Sequence, residues 1–416
     1  MKVLKFGGTS VGSAQRMKEV AKLITDGERK IVVLSAMSGT TNTLVEISDY
    51  LYKKNPEGAN EIINKLESKY RQHIDELFAT PEYKQKGLEL IKSHFDYIRS
   101  YTKDLFTLFE EKVVLAQGEL ISTAMMNYYL QECGVKSVLL PALEYMRTDK
   151  NAEPDPVYIK DKLQVQLELY PDAEIYITQG YICRNAYGEI DNLQRGGSDY
   201  TASLIGAAIN ASEIQIWTDI DGMHNNDPRI VDKTAPVRHL HFEEAAELAY
   251  FGAKILHPTC IQPAKYANIP VRLLNTMDPT APGTLISNDT EKGKIKAVAA
   301  KDNITAIKIK SSRMLLAHGF LRKVFEIFES YQTSIDMICT SEVGVSVSID
   351  NVKHLNEILD DLKKYGTVTV DKDMCIICVV GDLEWENVGF EAKALDAMRD
   401  IPAVSYTHLR AHETEA

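Results

Sequence analysis

KVLKFGGTSVGSAQ, at residues 2–15, carries the first strand and the first turn of the chain. Its apolar start predicts a buried strand, and Gly7 and Gly8 end that strand. Apolar side chains then recur at helical spacing as far as Ile24. A second apolar run, KIVVLSAM, follows at residues 30–37. A strand, a helix and a strand in this order predict a parallel sheet with a right-handed crossover.

Lys5 stands at the end of the first strand, just before the two glycines. Gly7 and Gly8 leave the backbone amides open to a ligand and permit the φ values of an anion-binding turn. The next helix begins near Ser13, and the amides of its first turn also favour negative charge. Lys5 adds a positive charge for phosphate oxygens. The pattern predicts a phosphate site, and the alternative is a plain strand-to-helix turn whose lysine reaches solvent.

A second pair of glycines, Gly196 and Gly197, lies in LQRGGSDYTASLIGAAI. The residues after it predict a helix that Ser198 or Asp199 caps, and Arg195 supplies a neighbouring cation. An ordinary capped turn is the alternative. If both glycine turns end strands of one sheet, they can hold successive phosphates.

Two later loops add further charged and hydroxyl side chains. WTDIDGMHNNDPR contains Thr218, Asp219 and Arg229, and FGAKILHP contains Lys254. Cations around a glycine-rich turn, together with a carboxylate, are typical of phosphoryl transfer, which depends on positioning and charge neutralisation. With Lys5, these residues predict a site of that kind.

Composition limits the classes of function. The 416 residues are 44% hydrophobic and carry a net charge of −12. No long basic run occurs, which argues against nucleic acid and anionic membranes as partners. No apolar run approaches the length of a membrane span, so we expect a cytoplasmic protein. The six cysteines are scattered as in a protein with reduced thiols, and Cys375 and Cys378 would point to opposite faces of one strand.

The chain divides into a large and a small part. Helix formers dominate from about residue 43 to 115, and strands alternate with helices up to about residue 290, which predicts an α/β sandwich. The polar stretch at 288–303 looks like a linker. After it, strands and helices repeat in the order βαββαβ, and Gly319-Phe320 and Gly389-Phe390 occupy matching places.

At this point the sequence resembles aspartate kinase. The resemblance rests on six segments in order: KFGGTSV, LSAMSGTTN, Gly118-Glu119, RGGSDYTA, WTDIDG with DPR, and FGAKILHP. It implies the amino acid kinase fold, a three-layer sandwich around a mainly parallel sheet, followed by ACT-type regulatory units. It is closest to the monofunctional, lysine-sensitive type. The implied reaction transfers the γ-phosphoryl group of ATP to the side-chain carboxylate of L-aspartate and gives 4-phospho-L-aspartate.

The resemblance also implies domain boundaries. The catalytic domain would span residues 1–292, the first ACT unit 300–371, and the start of a second ACT unit 372–402. Residues 403–416, AVSYTHLRAHETEA, depart from the family pattern and look like foreign sequence. The second ACT unit is therefore expected to be incomplete.

Roles follow for the matching residues. Lys5 would contact the transferred phosphoryl group, and Asp199 would be the catalytic aspartate, which orients Lys5 or metal-bound water. The aspartate substrate would be held by Ser35, Thr41, Glu119 and Arg195. ATP would be held by Gly7, Gly8, Gly196, Gly197, Thr218, Asp219, Arg229 and Lys254. Mg²⁺ is expected on the phosphates, mainly through water and phosphate oxygens, with no dedicated protein site.

The small part resembles an amino-acid effector site, and the implied effector is lysine in preference to threonine. Its candidates are Met314, Phe320, Leu321, Ile335, Asp336, Ser341 and Glu342. The resemblance also implies a homodimer through the ACT units. Two alternatives stand beside this interpretation. One is a non-catalytic amino-acid sensor with a degenerate kinase domain, and the other is a glutamate, carbamate or nucleotide kinase of the same fold.

Overall fold

The computed structural model describes residues 1–193, 196–228, 230–251, 256–289, 291, 293–311, 318–381 and 389–402, without the side chain of Glu391. The described chain forms two compact units. The larger unit holds Met1–His224, Lys233–Tyr250 and the described residues 256–289, and Phe251 belongs to the smaller unit. The smaller unit holds Asn225–Asp232 and the chain from Glu291 onward. No helix among the described residues is long and apolar enough to cross a membrane.

The larger unit alternates strands with helices. Its strands are β1 (Lys2–Phe6), β2 (Lys30–Leu34), β3 (Ser137–Leu140), β4 (Ile175–Gln179), β5 (Ile182–Arg184), β6 (Ile190–Asn192), β7 (Ile214–Thr218), β8 (His239–His241), β9 (Val271–Asn275) and β10 (Thr284–Ser287). Its helices are α1 (Ala14–Ile24), α2 (Thr40–Tyr52), α3 (Pro56–Leu77), α4 (Pro81–Ser100), α5 (Leu108–Glu132), α6 (Ala142–Tyr145), α7 (Pro156–Glu168), α8 (Gly197–Ile209), α9 (Phe242–Tyr250) and α10 (Gln262–Tyr266). A short 3-10 turn at Pro258–Ile261 precedes α10.

Eight of these strands form one sheet in the order β3-β4-β2-β1-β7-β9-β10-β8. Strand β1 pairs in parallel with β2 on one side and with β7 on the other, and only β10 runs antiparallel to its neighbour β9. The predicted mainly parallel sheet is therefore confirmed. The chain turns to opposite sides of β1 in its first and second halves, and in open α/β sheets ligands bind at the carboxyl ends of strands at such a point.

Alternation along β1 explains why a lysine belongs in this strand. Leu4 and Phe6 belong to the core that the sheet forms with α1–α5. Successive side chains of a strand point to opposite faces, so Lys5 points to the other face, where α8 packs against β1. Ser13 caps α1, because its side chain accepts a hydrogen bond from Arg16 N. The predicted start of that helix is thus correct.

The smaller unit is a four-stranded antiparallel sheet with helices. It contains β11 (Ile295–Lys310), α11 (Phe320–Ser330), β12 (Met337–Ser341), β13 (Gly344–Ile349), α12 (Leu355–Leu362), β14 (Thr367–Gly381) and α13 (Phe390–Ala397), with the strand order β12-β13-β11-β14. The βαββαβ order of the first repeat is present from β11 to β14. Gly319 and Gly389 are the N-caps of α11 and α13, in line with their matching places in the repeat.

Two predictions about this region were wrong. Most of the supposed linker at 288–303 is the first half of β11, which pairs with β14. The runs TVTVD and MCIICVV are not separate strands, because both lie in β14. The register shifts between Lys301 and Ile304, where Asn303 has φ +61°, so a bulge accommodates the polar residues that look like a linker.

The boundaries at 292, 300 and 372 stay predictions, although positions 300 and 372 fall inside strands. The unusual tail at 403–416 lies outside the described residues.

Candidate active site

An ion pair joins the ends of the two glycine-rich segments. Lys5 Nζ lies 2.7 Å from Asp199 Oδ1, and only 11% and 14% of the two side chains is exposed. Lys5 comes from the carboxyl end of β1, and Asp199 comes from the first turn of α8. The structure therefore brings together two predicted residues that are 194 positions apart in the sequence.

The first glycine pair lets backbone approach closely around Lys5. A Cβ atom on Gly7 would lie 3.5 Å from Lys5 Nζ, so the backbone of Gly7 runs beside the ammonium group. A Cβ atom on Gly8 would lie 2.8 Å from Ala36 O, too close for an ordinary contact. Gly8 O also accepts a hydrogen bond of 3.1 Å from Ser38 N. The glycine turn and the loop after β2 are thus held together by backbone contact.

The second glycine pair is also enforced by packing. Gly196 has φ +70°, and a Cβ atom there would lie 2.4 Å from Cys260 Sγ. A Cβ atom on Gly197 would lie 2.4 Å from the ring of Tyr181. Glycine is required at both positions for these approaches.

Two details of the second turn differ from the prediction. Gly196 itself is the N-cap of α8, and no side chain caps the helix, so Ser198 and Asp199 lie inside the first turn. The turn does not end a strand of the main sheet, because it follows β6, which pairs only with β5 in a small hairpin. Asp199, in the first turn of α8, contacts Lys5 of β1, so the site lies between a strand of the sheet and the start of a helix.

Hydroxyl groups surround the carboxyl end of β2. Ser35 Oγ donates to Ser198 Oγ at 3.0 Å, and Ser122 Oγ donates to Ser35 O at 2.8 Å. Thr41 is half-buried in the first turn of α2. Sequence analysis missed Ser122 and assigned Ser198 only a capping role. The signal available for Ser198 was its place in the RGGSD segment.

Glu119 is buried in the middle of α5 and faces the same loop. Its Oε1 accepts a hydrogen bond of 3.2 Å from Ala36 N, and its Oε2 has no hydrogen-bond partner among the described residues. Burial raises the pKa of Glu119 from 4.5 to about 7, although hydrogen bonding to backbone N–H groups, Ala36 N among them, opposes the shift. Glu119 does not open a helix, although ELISTAMMNYYL looks like a helix that begins at this residue, because α5 begins at Leu108.

The nucleotide side is described in part. Thr218 ends β7, and its Oγ1 donates to Ile220 O at 3.2 Å, while Asp219 is exposed beside it. The predicted residues Arg195, Arg229 and Lys254 lie outside the described residues. In the same loop, His224 Nδ1 and Thr234 Oγ1 form a hydrogen bond of 2.9 Å.

The residues of the site fit a Mg²⁺ ion that is carried mainly by phosphates. No group of three or more His, Cys, Asp or Glu side chains in the described part of the chain could hold a metal ion. Mg²⁺ needs only one or two protein carboxylates, because it keeps several waters and binds phosphate oxygens. Asp199, next to Lys5, offers one such carboxylate.

Most effector candidates contribute to the small unit's own structure. Phe320 lies in its core, and Ile335 packs against that core. Leu321 is 37% exposed, and Glu342 is exposed. Ser341 Oγ donates to Gly344 O at 3.4 Å. Met314 lies outside the described residues.

The carboxylate of Asp336 is paired inside the chain. Lys301 Nζ lies 2.8 Å from Asp336 Oδ1 and 2.9 Å from Asp350 Oδ2, and the side chain of Asp336 is fully buried. Although burial lowers the pKa of Lys301, hydrogen bonds to the two carboxylates outweigh burial and raise it. Sequence analysis missed Lys301 because it lies in the stretch that looks like a linker.

Comparison with known proteins agrees with this geometry. The profile of the Amino acid kinase family matches residues 1–275. Aspartokinase 1, chloroplastic, of Arabidopsis thaliana is 36% identical over 410 residues, which cover 94% of this chain and 72% of that protein. The chain belongs to the aspartokinase family. The enzyme transfers the γ-phosphoryl group of ATP to L-aspartate.

Two crystal structures of Escherichia coli aspartokinase III are also similar to the enzyme. One is the complex with aspartate and ADP in the R-state, with a TM-score of 0.83, 30% identity, and coverage of 96% of this chain and 92% of that one. The other is the complex with lysine and aspartate in the T-state, with a TM-score of 0.76, 32% identity, and coverage of 95% and 91%. The alternatives of a glutamate, carbamate or nucleotide kinase are therefore set aside.

Proposed function

We propose that Lys5 and Asp199 form the phosphoryl-transfer centre and that Glu119 marks the aspartate pocket. The observation that carries this proposal is the Lys5–Asp199 ion pair beside the Gly7 backbone, at the carboxyl end of a central parallel strand. A cation held next to open backbone amides stabilises the charge of a transferring phosphoryl group.

The chemistry requires no general base. The side-chain carboxyl of aspartate has an ordinary pKa of about 3.9, so it is ionised at neutral pH. The barrier lies in bringing this anion against the phosphate of ATP, and Lys5 lowers it by neutralising charge. Asp199 Oδ1 already lies 2.7 Å from Lys5 Nζ in an ion pair, which supports a role in orienting the ammonium group and not in removing a proton.

The aspartate pocket is proposed around the loop after β2. The Oε2 of Glu119, which has no hydrogen-bond partner in the described part of the chain, suits the α-ammonium group of the substrate, because a buried carboxylate is stabilised by a cationic partner. Ser35 and Thr41 offer hydroxyl groups on the same loop. Arg195 is proposed to hold the α-carboxylate through its two-pronged guanidinium group.

The nucleotide is proposed to bind across the two glycine turns. Amides near Gly7, Gly8, Gly196 and Gly197 would contact phosphates, and their lack of side chains supports close approach. The other nucleotide contacts are assigned to Thr218, Asp219, Arg229 and Lys254. Mg²⁺, held by ATP and near Asp199, would supply further charge neutralisation when bound.

The smaller unit is proposed to be regulatory, with lysine as the effector and pairing of two chains through ACT units. One support is the similar E. coli enzyme whose structure contains lysine and aspartate. A second is Asp336, a buried carboxylate that already binds an ammonium group, that of Lys301. A lysine effector would therefore compete with an internal cation. The cytoplasmic location stays a prediction from composition.

An acyl-phosphate assay tests the substrate assignment. The enzyme, ATP and Mg²⁺ are incubated with hydroxylamine and with aspartate, glutamate or no acceptor. We expect hydroxamate with aspartate and close to background with glutamate, because a pocket that fixes both α-groups also fixes the distance to the reacting carboxylate. Equal rates with the two acceptors would contradict the proposed pocket.

A further inference from the structure

Helix α3 contacts both loops of the active site through neighbouring residues. Lys69 Nζ donates to Ser38 O at 3.1 Å, in the loop after β2. His73 Nε2 lies 3.3 Å from Gly12 O, at the end of the first glycine turn. Between them in sequence, Tyr70 reaches the start of α2. The three helix residues Lys69, Tyr70 and His73 lie outside the segments that resemble the family.

Tyr70 has the most buried of the three contacts. It is 0% exposed, and its ring lies 5.8 Å from that of Phe95. Its hydroxyl group bonds Thr40 Oγ1 at 2.9 Å, and Thr40 is itself 1% exposed. Burial raises the pKa of Tyr70, and the negative charge of Glu119 raises it further. The phenol therefore stays neutral, and it lies near enough to Glu119 to interact with its charge.

Thr40 is the first residue of α2 and follows Gly39, which has φ +82°. The chain from Ser35 to Thr41 therefore passes through a left-handed turn before the helix starts. Ala36 N, in the same segment, donates to Glu119. No side chain caps α2. The buried hydrogen bond between Thr40 and Tyr70 therefore fixes this end of the segment.

We infer that Tyr70 is a positioning residue for aspartate, because its hydrogen bond to Thr40 fixes the segment from Ser35 to Thr41. The inference rests on the proposed assignment of that segment to the aspartate pocket. Tyr70 does not touch the substrate. It acts through Thr40, so its loss should weaken aspartate binding and leave the nucleotide side unchanged.

The chain contains a matched control. Tyr145 is also 0% exposed, and its hydroxyl group bonds Thr178 Oγ1 at 2.6 Å in a buried setting. Thr178 lies in β4, not in the segment after β2. Tyr70→Phe and Tyr145→Phe each remove one buried hydroxyl from the same kind of pair. A merely structural role predicts similar effects from the two substitutions.

The experiment measures KM for aspartate, KM for ATP, kcat and the melting temperature for four variants: Tyr70→Phe, Thr40→Val, the double variant and Tyr145→Phe. We expect Tyr70→Phe to raise KM for aspartate about fivefold to tenfold, the range that one lost buried hydrogen bond produces. KM for ATP should stay within about twofold. Tyr145→Phe should lower the melting temperature similarly without changing KM for aspartate.

The double variant tests whether the two hydroxyl groups act through each other. If they do, it should be no worse than the worse single variant, because the second substitution removes nothing further. Additive losses in the double variant would overturn the inference. Equal values of KM for aspartate in Tyr70→Phe and Tyr145→Phe would also overturn it. If Tyr70→Phe does not fold, Thr40→Val tests the same bond from its other side. A Glu119→Gln variant with raised KM for aspartate beside a normal Tyr70→Phe would refute this inference alone, and the proposed pocket would stand.

Discussion

Replacing Glu119 by glutamine should separate the cost of burying its charge from the use of that charge. Glu119 is 3% exposed and has a pKa of about 7, against an ordinary 4.5, because burial disfavours the carboxylate. A pKa difference of about 2.5 corresponds to about 3 kcal/mol. Glutamine stays neutral at every pH and keeps an oxygen for Ala36 N.

The sign of the pH dependence follows from proton binding. Between pH 4.5 and 7 the folded protein binds more protons at Glu119 than the unfolded chain does, so stability is lost as the pH rises through this window. The substrate-free Glu119→Gln variant should therefore be more stable than the wild type by about 3 kcal/mol at pH 8, and by less than about 1 kcal/mol at pH 5. Urea unfolding at the two pH values measures both differences.

A second buried glutamate provides a control of opposite sign. Burial raises the pKa of Glu67, but hydrogen bonds from Arg99 and Arg71 outweigh burial and lower it. Glu67→Gln should therefore destabilise the protein at pH 8. If Glu119→Gln and Glu67→Gln lower the free energy of unfolding at pH 8 by similar amounts, burial of the amide and not removal of the charge determines the result. The reasoning about Glu119 would then be wrong.

Activity should change in the opposite direction from stability. In the proposed pocket the ionised Glu119 binds the α-ammonium group, so kcat/KM for aspartate in the wild type should rise with pH through about 7. In Glu119→Gln this rise should disappear, and KM for aspartate should increase at least tenfold with KM for ATP nearly unchanged. An unchanged KM for aspartate would refute the assigned pocket.

The remaining predictions concern the reacting centre and regulation. Lys5→Met should lower kcat by about two orders of magnitude or more, as removal of one preorganised donor does. Lys2 lies on the same strand as Lys5 and makes an exposed ion pair with Glu28, so Lys2→Met should leave kcat unchanged. Near-normal turnover of a folded Lys5→Met protein would contradict the role of Lys5. Lysine should inhibit the enzyme more strongly than threonine, and Asp336→Asn should weaken that inhibition in steady-state titrations; inhibition unchanged by Asp336→Asn would place the effector elsewhere.

The sequence predicts the parts of this enzyme that depend on local pattern. Strand β1 and the Ser13 cap follow from alternation, helical spacing and glycine position, which act over a few residues. Lys5 and Asp199 were both named, because each adjoins a glycine pair. Their contact depends on the packing of α8 against β1, which no local pattern in the sequence shows.

What the sequence does not predict depends on distant polar partners. Ser35 and Ser198 are 163 residues apart, and neither position interrupts an apolar period. The sequence does not indicate the role of Lys301 for a different reason, because this residue lies beside polar residues that a β-bulge accommodates within β11. Hydrophobic periodicity identifies a helix or a strand by its buried face. A bulge or a pair of hydroxyl groups produces no periodic pattern that could be detected.

The Lys5–Asp199 pair also explains how the site can be ordered before ATP binds. An ammonium group has three N–H donors, and the contact with Asp199 uses only one carboxylate oxygen. In the proposed site, Lys5 would therefore keep this contact while its remaining donors turn to phosphoryl oxygens. The Gly7 backbone beside Nζ leaves room for that approach, because no side chain occupies it. Since the cation does not have to leave its partner, little reorganisation is needed when charge develops, and such preorganisation makes one lysine effective in phosphoryl transfer.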